Sequence, residues 1–373
     1  MAKRIAPRYG GVEMQLARVA RHEGRMDDSR RHLANAAEMG WSARYIAREE
    51  WMALAQSGSM AEAQKYLPEL LQTPEGDGAE ICHAYVVGFL KVRNTGAALE
   101  LIDAWKMDFP NDPYPYFLRG VLEHDLENWK QAIEFYREAL RRKPTDGQVA
   151  LHLGRCLISS KQPDAAIEIL DVAIEHTKPP TDAIVEKALA LRELGRTDEA
   201  MGLLTTAVDN DEDSVAAALG MAQLEIELGE YESARKRLLP FQFKQQRNLE
   251  LQFAYASALR GVGQVEQASS LFSQINQARD KLREAKRLVR ELNEQDDVEL
   301  RFQIGQTLLE YGDPQEGVWW LQSVLDLSPN HSLTHEALAT YYERLSNENP
   351  AFARLAQHHR DAIQGDESVS PPR

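Results

Sequence analysis

Small residues return every 34 positions along this chain, and that register constrains the fold more than any other feature of the sequence. In the stretch 113–146, PYPYFLRGVLEHDLENWKQAIEFYREALRRKPTD, counted from 1 to 34, Tyr116 holds position 4, Gly120 position 8, Ala132 position 20, Tyr136 position 24, Ala139 position 27 and Pro144 position 32. The frame carries backwards to starts at 79 and, after one extra residue at Gly78, at 44 and 10; forwards it starts at 147, 181, 215 and 249. Position 20 then reads Ser29, Ala63, Ala98, Ala132, Ala166, Ala200, Ala234 and Ala268, and position 24 reads Leu33, Leu67, Ile102, Tyr136, Leu170, Leu204, Leu238 and Phe272. Position 15 carries Gly24, Gly58, Gly195, Gly229 and Gly263, where a left-handed residue ends a helix without steric strain.

The spacing predicts paired helices. Gly120 and Ala132 let two helical segments approach closely, with Tyr116 and Tyr136 filling the space beside them. Asn111 or Asp112 can cap the first helix, and Pro144 ends the second. One hairpin cannot bury its apolar face alone, so neighbours must stack on it. With 43% hydrophobic and 27% charged residues and few Val or Thr runs, no sheet is expected.

A net charge of -15 and a pI near 5.2 argue against sequence-independent nucleic-acid binding, which requires Lys and Arg to neutralise phosphates. Cys82 and Cys156 fall two repeats apart on first helices, and packed helices lie about 8–10 Å apart, so the two are too distant to bridge. No apolar run reaches transmembrane length, and MAKRIAPRYGG lacks the apolar middle of a signal peptide. The expected location is cytoplasmic, with a membrane anchor upstream of this start left open.

Departures from the frame matter as much as matches. Position 8 is Trp51 or Val86 in two repeats, and position 27 is Leu70, Trp105, Phe241 or Ile275 in others, so spacing between hairpins should vary. PEGDG at 74–78 should make that turn the least regular. After 282 the frame pauses for fifteen residues. Leu271, Ile275, Ala278, Leu282, Ala285, Val289 and Leu292 alternate at spacings of four and three across the pause, which predicts an overlong helix, or two helices bent near Asn276, reaching about Asn293. Its flank from Arg279 to Arg290 holds six basic and two acidic residues. A ninth repeat at 298–331 places Gly305, Gly312, Gly317, Leu321 and Pro329 in register, and a looser tenth unit from Ser332 ends near Ala362 as a cap.

These positions resemble the tetratricopeptide repeat, a period-34 helical hairpin, from residue 10 to about 362. The resemblance implies an all-α solenoid, a right-handed superhelix of about ten hairpins whose first helices line a concave groove. The organisation expected is an N-terminal extension (1–9), eight repeats (10–282), a helical linker (283–297), a ninth repeat with a capping hairpin (298–362) and a disordered tail (363–373). The C-terminal portion is also similar to bacterial multi-repeat proteins of unassigned role. Family members bind peptides or partner proteins in the groove and act as scaffolds or adaptors. Groove positions 2, 5, 9 and 12 of the second to fifth repeats assign Tyr45, Arg48, Met52, His83, Val87, Tyr114, Phe117, Val121, Leu151 and Arg155 to partner binding. Packing between repeats is the competing reading of Phe117 and Val121. The Lys and Asn pattern by which relatives clamp an acidic C-terminus is missing from every set of three successive repeats.

Motifs for chemistry are scarce. No phosphate-binding glycine loop, nucleophile elbow or paired-cysteine motif occurs. Asp209, Asp211 and Asp213 open like a calcium loop, but Ser214 and Gly220 stand where Gly and Glu are needed, so an inter-repeat turn is expected. His331, His335, His358 and His359 crowd the last hairpin, and His331 with His335 has i, i+4 spacing. Surface or packing roles are expected for them. The sequence thus predicts a non-enzymatic interaction scaffold without cofactor or metal, binding a protein or peptide and no nucleic acid. The alternative is a regulatory or assembly subunit of an enzyme or envelope complex that contacts its partner through the basic segment 279–290.

Overall fold

The computed structural model describes residues 6–292, 297–347 and 349–367. Residues 1–5 of the expected extension, 293–296 of the linker and 368–373 of the expected tail lie outside the described residues. Among the described residues there is no strand. The chain is an all-α solenoid, and its contacts divide it into two units, 1–211 and 212–373.

In the first unit, α1 (Ala6–His22) pairs with α2 (Met26–Glu38), and α3 (Ala43–Ser57) with α4 (Met60–Ala63), a 3-10 turn (Gln64–Tyr66) and α5 (Leu67–Gln72). Next come α6 (Gly78–Lys91) and α7 (Thr95–Asp108), α8 (Tyr114–Asp125) and α9 (Trp129–Arg142), α10 (Gly147–Ser159) and α11 (Pro163–His176), and α12 (Thr181–Glu193) and α13 (Thr197–Asn210). The second unit pairs α14 (Val215–Glu227) with α15 (Tyr231–Leu238), α16 (Leu249–Gly261) with α17 (Val265–Leu292), α18 (Val298–Tyr311) with α19 (Pro314–Leu327), and α20 (Ser332–Leu345) with α21 (Pro350–Glu367).

The register has a direct steric cause. A Cβ added to Gly120 would lie 2.6 Å from the Tyr136 ring, one on Gly154 2.5 Å from Leu170, and one on Gly305 2.8 Å from Leu321. Position 8 is therefore the cradle for position 24 of its own hairpin, where the sequence suggested a meeting of Gly120 with Ala132. Position 20 is sealed from solvent from Ser29 to Ala268. Tyr136, Leu170 and Leu321 are equally buried, each contributing on the order of 2 kcal/mol of transfer free energy.

The second repeat breaks the pattern. Trp51 occupies its position 8 and stacks on Tyr66 at 4.4 Å between ring centroids. Pro68 then sits in the first turn of α5, where it fits only at a helix start. Leu67 is left half-buried, and Leu70 fills the core instead. Pro240 similarly follows the short α15.

The turn at position 15 is left-handed in all eight repeats, not only the five with glycine. Arg93, Glu127 and Lys161 hold it at φ 55°, 61° and 61°. The ninth repeat differs, since Gly312 has φ -113°. In the fourth repeat, Asp112 accepts hydrogen bonds from the Tyr114 backbone N–H and the Trp105 indole, fixing the entry to α8.

Other expectations change in detail. α1 starts at Ala6, four residues ahead of the frame. α17 runs unbroken through Asn276, and its inner face closes with Leu288 where the spacing suggested Val289, which is 39% exposed. α21 continues to Glu367, so residues 363–367 of the expected disordered tail are helical; Pro350 starts that helix, and buried Ala356 and His359 hold it to its neighbours. Asp209 lies in the last turn of α13, the chain turns between α13 and α14 at 211–213, and the cap of α14 is Ser214, whose side chain accepts from Ala217 N. Both cysteines are buried and free, and burial pushes their thiols up, to about 12 for Cys82 and about 11 for Cys156.

Candidate interaction surface

The first helices of the first unit bring rings from different repeats into one continuous strip. The Tyr114 ring lies 4.9 Å from His83, 6.4 Å from the Trp105 indole and 6.0 Å from Phe117. Phe117 reaches His152 at 5.2 Å, and His83 reaches His22 at 5.6 Å. The strip thus runs from α1 through α6 and α8 to α10. Tyr114, at 45% exposure, and His22 at the α1 end are its open members, and burial, with Asp146 next in effect, raises the Tyr114 phenol above the ordinary range. His83 is pushed down to about 4, first by burial and then by His22, and its Nδ1 is buried without a hydrogen-bond partner. Burial also lowers His152. At neutral pH His83 is uncharged, so this part of the strip presents ring faces.

A buried charge network flanks the α1 end. The Arg21 guanidinium has no solvent exposure and donates to Glu49 Oε1 at 2.6 Å, Gln56 Oε1 at 2.7 Å and Glu80 Oε2 at 2.9 Å. Arg18 lies 2.9 Å from Asp77 and 3.4 Å from Glu49 Oε2. His22 Nε2 meets Glu80 Oε2 at 2.8 Å, and that bond, followed by Arg21, holds the Glu80 carboxyl down at about 2. One guanidinium therefore ties α1, α3 and α6 together.

The ten residues assigned from the sequence separate accordingly. His83, Tyr114 and Phe117 come together in the strip. Arg155 stands at its far end, paired with Glu186 at 2.7 Å. Val87 and Val121 are half-buried, and Tyr45 is exposed at 41% but makes no ring contact with the strip among the described residues. Three assignments need correction. Met52 and Leu151 are core residues, and Arg48 is buried and donates to the Pro74 carbonyl at 3.1 Å. Met52 belongs to the core cluster shared by α3 and α6, and Leu151 to the one around α9, α10 and α11. Sequence reasoning missed His22, Trp105 and His152, which the groove positions do not include. A hollow of about 830 Å³ is lined by Trp129, Arg137 and Gln162, none of which belongs to the strip.

The terminal histidines form a separate cluster. His335 Nε2 donates to the Pro329 carbonyl at 2.8 Å, and with that tautomer of the neutral ring its Nδ1 accepts from His359 Nδ1, 2.9 Å away. His331 is the cap of α20 and accepts from Thr334 N. Among the described residues no group of three or more His, Cys, Asp or Glu could hold a metal ion, and no helix is long and apolar enough to cross a membrane.

Three tetratricopeptide repeat family models match the chain, at residues 124–190 and 191–247, at 88–147 and at 231–301. Together they span more than half of it. The chain belongs to the tetratricopeptide repeat family. No curated protein matches it. Among solved structures, this tetratricopeptide protein is similar to PilW, a type IV pilus biogenesis factor, at 17% identity, covering 53% of this chain and 91% of that one with a TM-score of 0.48. A human IFIT1 dimer with m7Gppp-AAAA is similar at 14% identity over 96% of this chain and 89% of that one, TM-score 0.48. A tetratricopeptide repeat protein from Parabacteroides merdae follows at 15% identity, 71% and 99% coverage, and TM-score 0.45. Likeness at this level says nothing of what this chain binds.

Proposed function

We propose that this tetratricopeptide protein is an interaction scaffold that grips an extended segment of a partner protein across α6, α8 and α10, with Tyr114 as the central contact. The family builds surfaces of this kind from stacked hairpins. The observation that carries the reading is the placement of Tyr114, an aromatic ring nearly half exposed amid rings that are not. A tyrosine held by neighbouring rings loses little entropy when a partner covers it, which is how interface hot spots arise. Phe117 is unsuited as a probe, because it packs into the cores on both sides of α8.

The test is affinity capture from native lysate with the full chain and a Tyr114→Glu variant of matched helical content. Loss of the captured partners in the variant is expected. Capture of the same partners at the same yield by both proteins would exclude the strip as the binding surface.

A further inference from the structure

A second surface lies on α17. Phe272, Asn276, Arg279, Arg283, Lys286 and Arg290 follow one another at spacings of four, three, four, three and four, which puts them on one face of a helix with about 3.6 residues per turn. The buried side chains Ile275, Ala278 and Ala285 lie roughly a third of a turn to one side. Asp280, Glu284 and Glu291 lie roughly a quarter turn to the other. The helix therefore sorts its side chains into an apolar seam, a basic face and an acidic margin.

The basic face ends on an aromatic pair. Phe253 of α16, 43% exposed, meets Phe272 at 5.3 Å between centroids. The Arg279 guanidinium lies 5.1 Å from the Phe253 centroid, and that of Arg260 5.2 Å from Phe272. Neither arginine meets a carboxylate among the described residues. Arg283 pairs with Asp280, but both are at least 70% exposed, and such pairs contribute about 0–1 kcal/mol. In a chain of net charge -15, guanidiniums resting only on ring faces are poorly neutralised.

We infer that this face of α17, with Phe253 and Phe272 at its end, is a docking surface for an acidic segment of a partner protein. Charge complementarity supplies the argument. From Phe272 to Arg290 the face extends about 27 Å, the length of roughly eight extended residues, so a short run of Asp and Glu with one aromatic or aliphatic side chain against the ring pair matches it. A nucleic acid fits less well, because the carboxylate margin and the negative net charge oppose a long polyanion. None of its residues belongs to the Tyr114 strip, and the inference does not rest on that strip.

The experiment uses the full chain and a labelled twelve-residue peptide of Asp and Glu with one Phe, beside a twin in which Asn and Gln replace the acids. The test variant is Arg279→Gln, Arg283→Gln, Arg290→Gln, all exposed positions, checked for unchanged helical content. The acidic peptide is expected to bind, to weaken at least tenfold in the variant and with added salt, and to be indifferent to Tyr114→Glu. Equal binding of the two peptides, no binding of either, or equal affinity of variant and parent for the acidic one overturns the inference. A single-stranded oligonucleotide or an anionic vesicle that binds more tightly than the peptide and loses that binding in the variant also overturns it. Phe253→Ser is expected to weaken the Phe-containing acidic peptide and leave a Phe-free one unchanged; an equal effect on both contradicts the assigned aromatic end.

Discussion

The second and fourth repeats occupy the same unit and solve the same packing problem in opposite ways. In the fourth, Gly120 leaves room for the Tyr136 ring, α9 is one regular helix, and the hairpin closes by shape. In the second, Trp51 fills that room, the partner helix breaks at the 3-10 turn, and Arg21 joins α3 to α1 and α6 by charge. The fourth hairpin thus closes on a ring seated in a cradle, whereas the second closes on the Trp51–Tyr66 stack and is joined to its neighbours by a buried ion pair. Shape closure is insensitive to pH, whereas the charge network responds to it.

The largest expected contrast lies at position 24. Tyr136→Ala empties a sealed cradle and should destabilise the protein by about 3–5 kcal/mol, whereas Leu67→Ala, at the same position of the second repeat but half-buried, should cost about 1 kcal/mol. Denaturant unfolding of both variants checks the ratio, and equal losses would erase the distinction between the two repeats.

Next comes the charge lock. Arg21→Met leaves the Glu49 carboxylate buried with its main partner gone, and removing one member of such a pair typically costs about 3 kcal/mol or more. Arg21→Met with Glu49→Leu should recover much of that loss. A double variant as unstable as the sum of the two singles would show that the pair does not act as a unit.

Acid should separate the two regions further. Glu80 is held down at about 2, so the stability it brings is present above its usual range near 4.5 and is lost as pH falls through that interval. His83, pushed down to about 4 from 6.5, remains neutral in the fold while the unfolded chain takes up a proton, so its share also drops as pH falls from 6.5 through 4. Hydrogen exchange corrected for intrinsic rates should show α1 and α6, which carry these groups and their partners, losing protection over this range before α9 does. Simultaneous loss would contradict it.

The smallest effect concerns the turns. Gly58, at φ 96°, should cost about 1 kcal/mol when changed to Ala, and Glu127, at φ 61° in the fourth repeat, should give a few tenths when changed to Gly. Thermal unfolding reads both signs.

The repeat frame was legible because position 20 admits only small side chains at every hairpin, and such a steric demand leaves a mark in each copy. Arg93, Glu127 and Lys161 show its limit: the left-handed turn persists without glycine, because the flanking helices impose it. The candidate surface was less legible. Tyr114, Phe117 and His83 follow from groove positions, but His22, Trp105 and His152 join through side-chain reach between repeats, which a one-dimensional frame does not contain. Met52 and Leu151 were misplaced for the same reason, since whether position 5 or 9 is open depends on how near the next first helix stands.

α17 is twenty-eight residues long where α9, α11 and α13 have fourteen, and the fourteen added residues are close to four whole turns, about 14.4 residues. The apolar seam consequently leaves the added segment facing nearly the way it entered, so Leu288 and Leu292 reach the core beside Trp320. Length in this helix is therefore countable only in whole turns: adding or deleting seven residues would keep the core in phase, while a change of five would swing it outward. Insertion at this point is tolerated in steps near whole turns, of which seven residues is the best phased short one.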